Sequence, residues 1–162
     1  MDTGKVLQRR FVVVPVWGLV ASVLVAGVWM VRGSADNAGS VVLVVYMSCL
    51  LTLVAVILHS DKPWYVFLVF LMQAVASVVA YAMVYAGVGL IDDTSTIDDA
   101  SSAFYFSLVT WTTLGYGDLR PPLPIRLIAS SQAMLGYIYL GIFVGLLMSR
   151  IDRASPRGPK GD

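Results

Sequence analysis

Thr112-Thr113-Leu114-Gly115-Tyr116-Gly117-Asp118 is the stretch on which the reading of this chain turns. Two glycines flank a tyrosine, and glycine takes positive φ at no steric cost, so the backbone is free to turn its carbonyls to one side. Main chain then supplies oxygen ligands, with threonine hydroxyls just before them and a carboxylate just after. Gly-Tyr-Gly also occurs in ordinary aqueous turns. Here, however, the seven residues lie between an apolar segment ending near Ile91 and another beginning near Leu123. Non-helical backbone at membrane depth survives only where protein buries it or where it lines a water-filled cavity.

Composition places the chain in a membrane. Of its 162 residues 58% are hydrophobic and 13% charged, with a mean hydropathy of +0.80, whereas soluble proteins are roughly a quarter charged. Segments 11–31, 41–58, 64–91 and 123–149 are candidate spans, because about 20 residues at 1.5 Å each cross the hydrocarbon core. Lys5, Arg9 and Arg10 precede the first, so it also fits the apolar part of a signal peptide. It is longer than the roughly 7 to 15 residues of such a region, and a short connector leads at once to the second apolar segment, as in a hairpin.

Charge sets the expected orientation. With the N-terminus cytoplasmic, Lys5, Arg9, Arg10, Lys62, Arg150, Arg153, Arg157 and Lys160 lie inside, and only Arg32, Arg120 and Arg126 outside. This satisfies the positive-inside rule. Asp92, Asp93, Asp98, Asp99 and Asp118 then gather outside, and both termini are cytoplasmic.

Several function classes lose support. The chain has no glutamate, so paired-carboxylate catalysis would fall to aspartates that cluster in solvent loops. Cys49 has no second cysteine to pair with, and His59 reads as an interfacial polar residue or, less simply, a pH sensor. We expect no enzyme and no cofactor. Neither of the first two apolar segments contains an arginine, whereas a voltage sensor needs several along one membrane helix. Gln73, the strongly polar interior residue of the third segment, is expected to be satisfied by a neighbouring helix.

Between the third segment and the Gly-Tyr-Gly stretch, Asp98, Asp99, Ser101 and Ser102 are capping residues for a short helix ending at Trp111. Its C-terminal end, with partial negative charge, would favour a cation below. After the stretch, Pro121, Pro122 and Pro124 mark a stop followed by a helix start. Tyr137, Gly141, Val144 and Met148 follow at intervals that put them on one face of the last helix. Residues 152–162 are rich in proline and glycine and read as a tail too short to fold.

From Trp64 to Arg150 the chain resembles the tetrameric pore-loop potassium channels, with Thr112 to Asp118 at the place of their selectivity filter. Taken with the four apolar segments, the resemblance implies an all-α membrane protein of four transmembrane helices with a re-entrant pore helix and filter, although residues 1–63 lie outside the part that resembles the family. Residues 1–63 form a cytoplasmic N-terminus and peripheral hairpin, 64–150 the pore domain, and 151–162 a short basic tail. Carbonyls of Thr113, Leu114, Gly115 and Tyr116, with Gly117 completing the filter, coordinate K+, and Thr113 adds its hydroxyl. Leu114 stands where valine is commoner. Asp118, Asp98 and Asp99 form the outer mouth, and Tyr105, Phe106 and Trp111 are placed to wedge around the filter. Gly136, ten residues after Arg126, falls where a hinge glycine lies, though close packing accounts for it equally well. Tyr137, Gly141, Val144 and Met148 line the cavity and gate. Val109 replaces a glutamate found behind the filter in some members, so a carboxyl-based coupling to Asp118 is not expected.

One strand supplies a quarter of each coordinating ring, so the expected assembly is a homotetramer. Its partners are membrane lipid and K+, with no nucleic acid. A poorly selective cation channel and a non-conducting scaffold or sensor subunit remain the alternatives.

Overall fold

The structure, a computed structural model, describes residues 38–58, 63–93 and 95–154. The expected first span, His59 and the end of the tail lie outside them. Helix α1 is Ala38–Leu58, α2 is Pro63–Val88, α3 is Ala100–Trp111 and α4 is Arg126–Ala154; two short strands, β1 (Leu90–Ile91) and β2 (Thr96–Ile97), separate α2 from α3. Val66–Val88 and Leu123–Ser149 are long and apolar enough to cross a membrane, whereas the apolar stretch in α1, Gly39–Thr52, is shorter. With 12 residues α3 is about 18 Å long, well short of the roughly 30 Å hydrocarbon core. It is too short to cross.

Helix α2 is the centre of the packing, with α1 against one side and α3 against another, and α3 is held between α2 and α4. Buried Tyr81, Tyr85, Leu90, Phe106 and Ile125 form the core of this arrangement. Tyr85 meets the ring of Phe106 edge-on at 4.8 Å, a favourable aromatic geometry. Between α1 and α2 the polar residues satisfy one another. Gln73 donates to Ser48 Oγ at 2.9 Å and to Cys49 Sγ at 3.4 Å, and accepts from Thr52 Oγ1 at 3.4 Å. A neighbouring helix therefore does meet Gln73.

Three expectations about element boundaries need correction. The third apolar segment does not stay helical to Ile91. Gly89, at φ +83°, ends α2 by donating to the Tyr85 carbonyl at 2.8 Å, and left-handed glycine is a common helix stop. Leu90 and Ile91 then pair antiparallel with Ile97 and Thr96, so the fold is not wholly α. Leu123–Ile125 is a 3-10 turn before the last helix, because Pro122 before it and Pro124 within it leave few donors for an α-helical start. Lastly, α4 continues to Ala154, so residues 152–154 are helical and not tail.

Candidate functional site

The short helix α3 is aimed by its own ends. Asp99 caps it, accepting from the backbone N–H groups of Ser101 at 3.0 Å and Ser102 at 2.9 Å. Hydrogen bonds from these two serines hold the Asp99 carboxyl well below the usual carboxylate range. At the other end Thr112 turns back, its hydroxyl bonding the Leu108 carbonyl at 2.8 Å. Leu114 N–H bonds the Val109 carbonyl at 3.0 Å, which ties the first residues after α3 to its last turn.

From Thr113 to Gly117 the backbone leaves regular structure. Thr113, Gly115 and Gly117 have φ of +58°, +55° and +81°, while Leu114 and Tyr116 between them stay negative. An extended strand sends successive carbonyls to opposite sides; alternation of φ sign brings them towards one side. Among the described residues none of the carbonyls of 113–117 accepts a hydrogen bond. Thr113 is the part the sequence did not reveal, since a β-branched residue seldom takes positive φ. Leu114 and Tyr116 are 60% and 67% exposed in the single chain, although both are large and apolar or aromatic.

Two clasps fix the far end of this segment. Tyr105, on α3, donates its hydroxyl to Asp118 at 2.8 Å. Beyond it, Arg120 and Ile91 exchange backbone hydrogen bonds, both 2.8 Å, binding the exit of the segment to the β1 strand. Arg120 also meets Asp93 at 3.3 Å, with both side chains largely exposed, so that this pair contributes little to stability. Asp98 is exposed in the same loop. Of the three aromatics expected around the segment, Tyr105 alone bonds to it. Phe106 turns to Tyr85 of α2, and Trp111 packs at 5.5 Å on Tyr139 of α4.

Below the segment lies a cavity of about 330 Å³, lined by Trp111, Thr112, Thr113, Tyr137, Leu140 and Phe67 among others. The C-terminal end of α3 opens into it, and so does its partial negative charge. Gly136 on α4 reaches the same place: a Cβ there would stand 2.0 Å from the Trp111 carbonyl oxygen, so packing requires glycine at this position. Tyr137, Val144 and Met148 are 71%, 47% and 58% exposed in the single chain, and around Gly141 a Cβ would meet nothing within 4 Å. These four share the open face of α4. Behind α3, Gln132, Ser107 and Tyr85 form a buried hydrogen-bonded group that the sequence reading missed. A polar residue in a membrane helix was its one visible signal.

A helix too short to cross the membrane, followed by irregular backbone and set between two helices long and apolar enough to span it, is the arrangement of a pore-loop membrane protein. Residues 64–153, more than half of the chain, match the family model described as Ion channel, and the chain belongs to that family. It is a transport protein and not an enzyme. No curated protein and no solved structure gives a significant match.

Proposed function

We propose that the protein is a potassium-selective channel, in which four copies bring their 113–117 segments around one axis. Carbonyls of Thr113, Leu114, Gly115 and Tyr116 replace the hydration shell of K+, with Gly117 closing the filter and Asp118 beyond it. The observation that carries this reading is the alternating φ of 113–117 with its carbonyls uncommitted inside the chain. Opposed φ signs at neighbouring residues are what a row of parallel carbonyls needs. Fourfold symmetry is what completes each ring.

The exposed face of α4 with Tyr137, Gly141, Val144 and Met148 lines the inner cavity and gate in this assembly. Both termini are cytoplasmic, and segment 11–31 together with α1 makes a peripheral hairpin, for four membrane helices in all. The aspartates of the outer loop, Asp98 among them, collect cations at the entrance.

Reversal potentials of the purified protein in a planar bilayer, with K+ and Na+ on opposite sides, test the proposal. Strong preference for K+ is expected. Equal permeability leaves a poorly selective cation channel, absence of current leaves a scaffold, and a monomer in mild detergent removes the tetramer.

A further inference from the structure

A polar chain runs through the otherwise apolar core to the midpoint of α3. Tyr85 of α2 donates its hydroxyl to Oε1 of Gln132 on α4 at 2.7 Å. Gln132 donates from Nε2 to the Ser107 side-chain oxygen at 2.7 Å and to the Ser107 backbone carbonyl at 3.1 Å. Ser107 in turn donates its hydroxyl to the carbonyl of Val78, back on α2, at 2.7 Å. All three side chains are wholly buried. A primary amide suits this place because it accepts at one atom and donates at the other; an apolar residue does neither, and a carboxylate only accepts.

The amide is in register with a second contact. Gln132 and Gly136 are four apart on α4, and they meet Ser107 and Trp111, four apart on α3. One helical turn therefore separates the two contacts on each element. The contact through Gly136 is steric and limits only how near α4 comes to α3. The contact through Gln132 is directional, since buried hydrogen bonds weaken steeply off line and an unmet buried donor is costly. Together they set the height and rotation of α3 relative to α4, and Thr112 and Thr113 continue directly from the end of α3.

We infer that Gln132 is a positioning residue for the filter, acting through Ser107 and the pore helix on the placement of the 113–117 carbonyls. This rests on the potassium-channel reading above. Coordination by carbonyls discriminates between ions only while the spacing of the oxygens is held. A pore helix free to slide or turn against α4 would relax that spacing.

The test uses the full chain in a bilayer, with Gln132→Met, Ser107→Ala, their double variant and Tyr85→Phe, each measured for its Na+ to K+ permeability ratio and its melting temperature. Gln132→Met and Ser107→Ala are expected to raise that ratio by roughly five- to tenfold, the scale of one neutral buried hydrogen bond. Gln132→Met removes both hydrogen bonds to residue 107 and Ser107→Ala only the side-chain one, so the double variant should be little worse than Gln132→Met alone. Tyr85→Phe leaves Gln132 bonded to Ser107 and should change the ratio least. A lowered melting temperature with an unchanged ratio in the two single variants would mean that Gln132 only packs, and would overturn the inference. Should Gln132→Met fail to assemble, Ser107→Ala, which deletes one hydroxyl, decides alone: an unchanged ratio overturns. A wild-type protein that passes no cation removes the channel reading and this inference with it, whereas a selective wild type matched by its variants removes only the inference.

Discussion

Gly136 of α4 lies directly beneath the main-chain carbonyl of Trp111, so closely that a methyl group on its Cα would come within 2.0 Å of that oxygen. The obstructing atom belongs to backbone at the end of a capped helix, and backbone does not yield as a flexible side chain would. Gly136→Ala is therefore expected to push α3 and α4 apart, at a cost of roughly 1 to 3 kcal/mol, as overpacking does. Gly141→Ala meets nothing within the chain and serves as the control. Thermal melting of the two variants decides: equal melting temperatures would show that the contact is looser than this.

Asp99 has two separable roles, a cap and a charge. Asp99→Ala should lower the melting temperature by uncapping α3, and Asp99→Asn, which keeps the cap and loses only the charge, should lower it less. The pH dependence has a definite sign. The carboxyl is held low in the folded state, so its contribution is fully present above the unfolded value of about 3.9 and is lost as pH falls below it. Asp99→Asn should abolish that acid-side loss, which melting curves taken from neutral to acid pH will report.

Tyr105 is the described residue whose side chain reaches Asp118. Removing the hydroxyl in Tyr105→Phe should loosen the outer end of the 113–117 segment and speed the decline of current during sustained opening. Asp118→Asn should act in the same direction. Currents as steady as the wild type in both variants would rule the clasp out as a support of the conducting form.

Salt distinguishes charge from architecture at the outer loop. Replacing Asp92, Asp93 and Asp98 by asparagine removes local negative potential, which is screened over roughly 8 Å at physiological ionic strength. Inward conductance should fall at low salt and recover at high salt. A loss that persists in high salt would point to a distorted loop.

Opening should depend only weakly on voltage. Neither α1 nor α2 contains a charged residue, and each elementary charge crossing 100 mV supplies about 2.3 kcal/mol, with steep channels moving three to four per subunit. Open probability recorded against voltage in symmetrical K+ should be shallow and should vary with the permeant ion. A steep curve indifferent to the ion would contradict this.

Local chemistry carried much of the fold into the one-dimensional pattern. Asp99, Ser101 and Ser102 announce the start of α3, because a cap is made by residues two or three apart. Gly115 and Gly117 mark the irregular segment by what glycine alone tolerates. Gly89 carried the same kind of signal, but its apolar neighbours Leu90 and Ile91 masked the end of α2 as continuing helix. Thr113 at positive φ was not legible, since its conformation comes from the way α3 ends and not from its own preference.

What the sequence by itself determined was the two long apolar segments around residues 92–122, the short capped helix between them and the residues with the backbone freedom to present carbonyls, for all of these follow from hydrophobic length, capping and backbone freedom within a few residues. The tertiary structure decided the rest. It set Gly136 against the Trp111 carbonyl, joined Tyr105 to Asp118, and brought Gln132 between Tyr85 and Ser107, 47 and 25 residues away along the chain. Such contacts depend on the distance and rotation of one helix against another, and no periodicity along a single helix contains that information.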